Sequence, residues 1–183
     1  MRRLLMLVAV AAGVATAQVL DFGGKVQVEK MKALAFLEGR WEGEAWINTP
    51  SGKRAVSGYE NVRLRAGGTC LVIDAEWMMK AGDREIPIHQ PCAMVFWDAD
   101  RKSYRMLAQL GNGLRNEFDL QVKERGFVWN VTLPQVGETR YTMNLTAQGE
   151  WVEYGEHKNA EGTWTKTLEM RLRKVAVKGA EDR

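Results

Sequence analysis

From Gly39 almost to the end of the chain, apolar side chains recur at every second position, in short runs separated by turn residues. Phe118, Leu120 and Val122 form one clean example, with Asp119 between two of them. Because successive side chains of a strand point to opposite faces, such runs predict strands with one apolar face. The runs cover residues 41–48, 54–64, 70–79, 86–97, 104–110, 115–123, 127–133, 140–146, 151–157 and 164–175.

About ten strands joined by short hairpins predict an all-β fold. An up-and-down barrel leaves no open sheet edge, because closure pairs the first strand with the last. A sandwich of two sheets is the alternative. Closing about ten strands leaves an interior large enough for side chains and one small ligand. We therefore predict a closed antiparallel β-barrel of about ten strands.

One short helix is predicted before the strands. Over residues 25–37, apolar residues lie three or four positions apart, the spacing of an amphipathic helix. Gly39 follows, and glycine suits the left-handed backbone that ends many helices. The period of the apolar residues changes to two immediately afterwards, so Gly39 marks the passage from helix to barrel.

Two tryptophans and one arginine are predicted to be structural. Trp41, at the start of the first strand, is large enough to plug one end of the barrel. Trp164 is expected to pack in the core in the same way. Trp41 is also expected to stack on an arginine of the final strand, Arg171 or Arg173. Such a pair would stabilise the contact between the first and last strands and would not bind a ligand.

The first 17 residues predict a secretory signal peptide. Arg2 and Arg3 form a basic start, residues 4–14 form a short apolar run, and Ala15-Thr16-Ala17 is a small-x-small cleavage signal. The run is shorter than the roughly 20 residues that cross a bilayer, so no stable membrane anchor is expected after cleavage. A retained anchor helix is the alternative. Residues 18–183 then form a single domain, exported to the periplasm or the medium.

Charge excludes one class of partner. Removing Arg2 and Arg3 from the 26 basic residues leaves 24, against 23 acidic residues. No basic block lies on the remaining chain, so the electrostatic footprint of a nucleic-acid-binding protein is absent. Nucleic acid is therefore not an expected partner.

The two cysteines, Cys70 and Cys92, are candidates for a disulfide. Both lie in the exported part, where disulfides form. Pairing of the two strands about the turn near Gly82 would bring Cys70 close to positions 92–95. A bridge would stabilise the fold by about 3 kcal/mol in the chain-entropy model. Two buried free thiols are the alternative.

Neither a metal site nor a catalytic motif is predicted. The chain has two histidines, His89 and His157, which are far apart and lack the spacing of metal ligands. Both are expected at the surface. No nucleophile motif and no phosphate-binding glycine loop is present, so no catalytic residue is predicted.

Three motifs carry a family resemblance. The opening Phe36-Leu37-x-Gly39-x-Trp41-x-Gly43-Glu44, the central Phe96-Trp97-Asp98 and the closing strands from Gly149 onward resemble bacterial lipocalin-like proteins allied to nitrobindin, in the calycin superfamily. The resemblance spans most of residues 27–175. It implies a ten-stranded lipocalin-like barrel with a helix near its entrance. It does not fix a function, because much of this group has no established activity.

The resemblance also indicates which residue a haem group would need as its ligand. Nitrobindin binds haem through a histidine late in its last strand, whereas residues 164–175 contain no histidine here. We therefore expect no haem and no other cofactor. His157, in the preceding strand, is the one alternative ligand.

Five side chains are predicted to line a ligand pocket in the lumen. Trp129 and Met143 lie near the middle of inward-facing runs, where rings and thioethers suit an apolar guest. Glu60 and Glu153 interrupt apolar runs, and a lumenal carboxyl would have a raised pKa unless a cation met it. Arg105 is the fifth predicted pocket residue. The alternative is that the carboxylates point outward, or pair with Arg63, Arg65 or Arg105.

The leading hypothesis is an exported, non-enzymatic barrel that binds a small apolar molecule in its lumen. The second hypothesis is an interaction module of the cell envelope with a packed barrel. Its contact surface would be the segment 93–97, which is apolar on both faces and needs a cover, either the 25–37 helix or a partner such as a second copy. The third is an enzyme that uses a lumenal carboxylate or haem.

Overall fold

The structure is a computed structural model that describes residues 24–133 and 137–176. The predicted signal peptide over residues 1–17 lies outside the described residues. Within them, no helix is both long and apolar enough to cross a membrane. The elements are α1 (Lys25–Met31), 3-10 helices at Lys32–Leu37 and Ala66–Gly68, β1 (Gly39–Thr49), β2 (Gly52–Arg65), β3 (Cys70–Ala81), β4 (Arg84–His89), β5 (Pro91–Asp98), β6 (Ser103–Leu110), β7 (Arg115–Lys123), β8 (Gly126–Leu133), β9 (Gly137–Leu145), β10 (Trp151–Lys158) and β11 (Trp164–Val175).

The strands form one closed antiparallel barrel. From β5 to β11 each strand pairs with its sequence neighbour, and β1 pairs with both β11 and β2. Pairing of β2 with β3, from Ser57 opposite Met78 to Arg65 opposite Cys70, closes the circle. Ten strands make the barrel, and β4 is an extra strand beside β3. The predicted barrel with one N-terminal helix is confirmed, and the sandwich alternative is wrong.

The run predicted over residues 86–97 is two strands and not one. It breaks at Gln90, so that β4 pairs with the C-terminal half of β3 and β5 pairs with its N-terminal half. The β3–β4 register shifts between Trp77 and Met78. An extra residue of this kind leaves the ladder locally unpaired and bends the strand. The hairpin at the turn near Gly82 is therefore formed by β4, and β5 begins only after the break.

One end of the barrel is packed solid, and we call it the floor. Leu34 and Leu37, from the 3-10 helix that follows α1, are fully buried there. Gly39 turns the chain into β1 with a φ of +133°, a region that favours glycine. Trp41 is 1% exposed, and its Nε1 donates to the Leu37 carbonyl over 2.7 Å. Its ring meets that of Trp151 edge-on, with 5.7 Å between centroids.

The cation on Trp41 is a lysine, which corrects the expected stacking of Arg171 or Arg173. Lys174 Nζ lies 4.8 Å from the centroid of the Trp41 ring and donates to the Phe36 carbonyl over 3.2 Å. Arg173 and Arg171 alternate with Lys174 and so face outward, where both donate to the Glu150 carboxylate. These hydrogen bonds, that from Arg173 first, lower the pKa of Glu150.

Trp164 lies on the outer surface, contrary to the prediction that it packs in the core. It is half-buried beneath the Arg140 guanidinium, 4.3 Å from the ring centroid. The cause is a register shift between Gly155 and Glu156 in the β10–β11 pairing. Such an irregularity reverses which face a strand's alternate residues occupy. Leu168 therefore faces inward, whereas Trp164, on the other side of the shift, faces outward.

The predicted disulfide is wrong, because the register separates the two sulfurs. Cys70 is buried and lies opposite Phe96, whereas Cys92 is exposed and lies opposite Asp74. Four residues along β3 correspond to about 13 Å. A disulfide needs Cα atoms within about 7 Å of each other. Both cysteines are free thiols.

The doubly apolar segment 93–97 lies in β5 and is covered only in part. Its inward residues are buried in the barrel, and α1 packs near its C-terminal end, where Lys30 Nζ lies 4.7 Å from the Trp97 ring centroid. Met94 faces outward and remains 37% exposed. Val72 and Leu107 lie directly opposite Met94 on the neighbouring strands, which completes a short apolar row on the outer surface.

The floor can be tested with two tryptophans of the same strand. We expect Trp41→Ala to lower the free energy of unfolding by about 3–5 kcal/mol, because it removes a fully buried ring. Trp46→Ala is the control, since Trp46 is only half-buried and is covered by Lys53; we expect a loss of about 1 kcal/mol. Urea unfolding followed by circular dichroism measures both. Equal losses would contradict the assignment of Trp41 to the floor.

Candidate functional site

Beyond the floor, the barrel contains a cavity of about 460 Å³. Small-molecule sites usually have volumes of about 300–1,000 Å³. The cavity extends toward the end of the barrel away from α1, where exposed residues such as Asn116 and His89 line it. Its lining is formed by Ala45, Ile47, Val56, Glu60, Ile73, Trp77, Ile88, His89, Pro91, Ala93, Met106, Ala108, Leu110, Asn116, Phe118, Phe127, Trp129, Val131, Tyr141, Trp151, Glu153, Leu168 and Met170.

Small side chains leave this space open. Ala45 on β1, Ala93 on β5 and Ala108 on β6 all line the cavity. Ala93 and Ala108 are directly opposite each other on paired strands. An alanine fills far less of a barrel than the leucines and tryptophans of the floor, so the interior remains unfilled at this level.

One wall of the cavity is a stack of two rings. Trp129 and Tyr141, on paired strands, lie 4.9 Å apart between centroids at an interplanar angle of 14°. Gly155 on β10 makes room for the Tyr141 ring, because a Cβ at this position would lie only 2.9 Å from a ring carbon. The predicted pocket residue Trp129 is therefore part of a flat aromatic wall.

A buried carboxyl group on β2 accepts a hydrogen bond from an indole. Trp77 Nε1 donates to Glu60 Oε1 over 3.1 Å. Gly58 permits this arrangement, since a Cβ there would lie 2.7 Å from a carbon of the Trp77 ring. The absence of that Cβ lets the indole lie across β2 and reach a carboxyl two residues further along the strand.

A second indole–carboxyl pair repeats the arrangement on β10. Trp151 Nε1 donates to Glu153 Oε2 over 3.2 Å. Glu60 and Glu153 are each 8% exposed and line the same cavity. Their strands are separated in the barrel by β1 and β11. The lumen therefore contains two buried acidic groups, each with one neutral donor.

In the part of the chain that the structure describes, no cation neutralises these two groups. None of the ion pairs within the described residues includes Glu60 or Glu153. Burial raises the pKa of Glu60 to about 7, and the Asp74 charge adds to this while the bond from Trp77 opposes it. Burial and then the charge of Glu60 raise the pKa of Glu153 to about 8, against the bond from Trp151. Near neutral pH the pair therefore retains protons.

Two other titratable groups line the cavity. Burial, and then the Glu153 charge, raises the pKa of the Tyr141 phenol. Burial lowers the pKa of His89, which favours its neutral form. The described residues of the lining include no lysine or arginine. The site can therefore carry negative charge and has no positive group of its own at neutral pH.

Two predicted pocket residues lie elsewhere. Arg105 faces outward on β6, because its neighbour Met106 faces inward, and it donates to Glu117 and Asp119. These bonds, that from Glu117 first, raise its pKa. Met143 faces inward but is completely buried in the core and does not line the cavity. The predictions for Arg105 and Met143 are therefore corrected.

Of the two histidines, His89 is exposed at the mouth of the cavity, as expected, whereas His157 departs from the expected surface placement. His89 lines the cavity, and His157 lies on the inward face of β10, half-buried, opposite Thr139. Nδ1 of His157 and Oγ1 of Thr139 are buried without a hydrogen-bond partner in the described residues. Within the same part of the chain, no three His, Cys, Asp or Glu side chains are grouped as metal ligands.

The sequence reasoning missed the roles of Trp77 and Trp151. The signal for Trp151 was present, because it lies two residues before Glu153 and so shares its face. The signal for Trp77 depends on the β2–β3 register, which places Trp77 opposite Gly58.

Two solved structures resemble this barrel. The crystal structure of Rv2717c from M. tuberculosis superposes with a TM-score of 0.57 at 13% identity, covering 80% of this chain and 97% of that chain. The S-type phycobiliprotein lyase CPES from Guillardia theta superposes with a TM-score of 0.51 at 10% identity, covering 85% and 98%. No family model and no curated protein matches the sequence. The similarity shows a shared fold, an antiparallel β-barrel.

The buried acids predict an unusual dependence of stability on pH. Both carboxyls have a raised pKa in the folded state, against 4.5 as the ordinary value. Their protonation therefore stabilises the fold fully below about pH 4.5, and this contribution is lost as the pH rises through about 7 and 8. We expect the variant Glu60→Gln/Glu153→Gln to lose less stability than the wild type between pH 5 and pH 9, by roughly a few kcal/mol.

Urea unfolding at a series of pH values measures this effect. Glu161→Gln is the control, since Glu161 is exposed in the turn between β10 and β11. It should follow the wild-type curve. Identical slopes for the double variant and the wild type would refute the raised pKa values of the buried pair.

Proposed function

We propose that this protein is an exported, non-enzymatic barrel that binds a small, predominantly apolar molecule in its lumen. The observation that carries the proposal is the cavity of about 460 Å³, lined mostly by aromatic, aliphatic and thioether side chains. A cavity of this size and lining favours a guest that exchanges contact with water for contact with rings and methyl groups.

Two further observations support the proposal. The basic start, short apolar run and small-x-small signal over residues 1–17 favour export. The motifs at Phe36–Glu44, Phe96–Asp98 and the closing strands resemble the bacterial lipocalin-like group allied to nitrobindin, whose barrels enclose a lumen. Because β11 contains no histidine, the haem ligand of nitrobindin has no counterpart in this strand.

Filling the cavity should weaken binding. We expect N-phenyl-1-naphthylamine, a neutral apolar fluorophore, to bind the wild type with enhanced emission. Ala108→Phe places a ring in the cavity and should weaken the affinity at least about tenfold, a loss of about 1.4 kcal/mol. Gln109→Phe is the matched control, because Gln109 is exposed on the opposite face of β6, and it should bind like the wild type.

Fluorescence titration of the three proteins measures these affinities, and native mass spectrometry of protein purified from its own host identifies a resident ligand. Absence of probe uptake by the wild type would refute the proposal. Equal affinity of Ala108→Phe and the wild type would place the probe outside the lumen.

A second candidate function, an envelope interaction module, is favoured by the outward row of Val72, Met94 and Leu107. The expected partner is a second copy of the chain. Sedimentation velocity would then show a concentration-dependent dimer for the wild type and a monomer for Met94→Lys. A wild-type protein that remains monomeric at high concentration argues against this function.

A further inference from the structure

The polar part of the lumen is acidic on both of its sides. Glu60 and Glu153 reach the cavity from β2 and β10, and the hydrogen bonds of the described residues occupy only Oε1 of the first and Oε2 of the second. The other oxygen of each group has no such bond. Because a buried charge is stabilised only by a partner, a lumen of this kind has unused capacity for a cation.

Aromatic faces surround the two carboxyls. Each carboxyl is hydrogen-bonded to an indole, Trp77 or Trp151, and the stacked rings of Trp129 and Tyr141 form a wall of the same cavity. Aromatic faces attract cations through their quadrupole, and more strongly where water is excluded. Rings also pack well against an apolar body. Carboxyls and rings together therefore favour a ligand that is both positively charged and apolar.

We propose that the lumen selects organic cations, namely protonated amines attached to an apolar or aromatic body, with Glu60 and Glu153 as their anionic partners. The proposal rests on the proposed function, since it names the class of ligand for the same cavity. The ammonium group donates hydrogen bonds to the free carboxyl oxygens, and the apolar body lies against Trp129 and Tyr141. Charge-assisted hydrogen bonds of this kind are stronger than hydrogen bonds between neutral groups.

The alternative ligand classes fit less well. A fatty acid or other carboxylate would find no lysine or arginine among the described lining residues, and it would lie next to two acids that become negative as the pH rises. A purely apolar molecule would leave the second oxygen of each acid without a hydrogen-bond partner. A cation removes both difficulties at once.

Binding should release protons. Burial raises the pKa of both carboxyls, so they hold protons near neutral pH, whereas an ammonium partner favours their ionised forms. Asp74 on the outer face of β3 acts on Glu60, and Tyr141 and His89 share the cavity without adding a positive charge. Amine affinity should therefore rise with pH until the carboxyls are ionised, because an alkylamine, like lysine, remains protonated up to about pH 10.

Three probes of nearly equal size separate the classes of ligand: 4-phenylbutylamine, 4-phenylbutan-1-ol and 4-phenylbutyrate. Isothermal titration at pH 6 and pH 8.5 measures their affinities for the full chain. Repeating the amine titration at about pH 7.2 in phosphate and in HEPES, which differ in ionisation enthalpy, counts the protons released. The variants are Glu60→Gln, Glu153→Gln and the double variant, with Glu161→Gln as the control.

We expect the amine to bind at least tenfold more tightly than the alcohol at pH 8.5 and to lose at least tenfold in affinity at pH 6, with proton release near neutral pH. The alcohol should show no such pH dependence. The double variant should lose the preference for the amine and still bind the alcohol, which shows that it remains folded. The control should behave like the wild type.

Equal or tighter binding of the alcohol or the acid would overturn the proposal and leave the proposed apolar-binding function standing. An amine preference that survives in the double variant, or amine binding without proton release, would also overturn it. If none of the three probes binds the wild type and N-phenyl-1-naphthylamine also fails to bind, the proposed function falls together with this inference. If only the fluorophore binds, the organic-cation proposal alone is refuted.

Discussion

Pairing of β2 with β3 is the constraint on which the rest of the structure depends. It gives the last open edge of the sheet a partner, so that the ladder runs around the whole barrel. It also fixes which side chains face the interior, because a shift of one residue in a strand reverses every side chain. A slip of that size in β2 would replace Glu60 in the lumen by Tyr59 or Asn61.

Side-chain size then divides the interior into two parts. At the floor, Trp41 and the leucines of the 3-10 helix fill the barrel completely. Further along, Ala45, Ala93 and Ala108 stand at inward positions, and a cavity remains. Side chains that face a void lose dispersion contacts, so larger residues at these positions would pack the core better. Proteins depart from the best packing mainly at functional sites, so the unfilled cavity supports the proposal that the lumen binds a ligand.

The alternation of the sequence was enough to predict the barrel and the helix, whereas it left open whether Glu60 and Glu153 point into the lumen or outward. The prediction failed where a strand departs from the two-residue period. The shift at Gly155 carried Trp164 to the outer surface, and the break at Gln90 moved Cys92 away from Cys70. The placement of Arg105 in the lumen was a different error, because it ignored the alternation of β6, in which the neighbouring Met106 faces inward.

The hydrogen bond in each indole–carboxyl pair does not require an ionisable acceptor. Each indole N–H needs one acceptor oxygen, and the amide oxygen of glutamine would satisfy it without any ionisable group. A glutamine would also avoid the cost of ionisation in a buried site, which a raised pKa reflects. Packing and hydrogen bonding alone therefore do not account for glutamate at both positions. What glutamate adds is the ability to become negative when a positive group arrives, and that ability has a use only if the cavity is occupied.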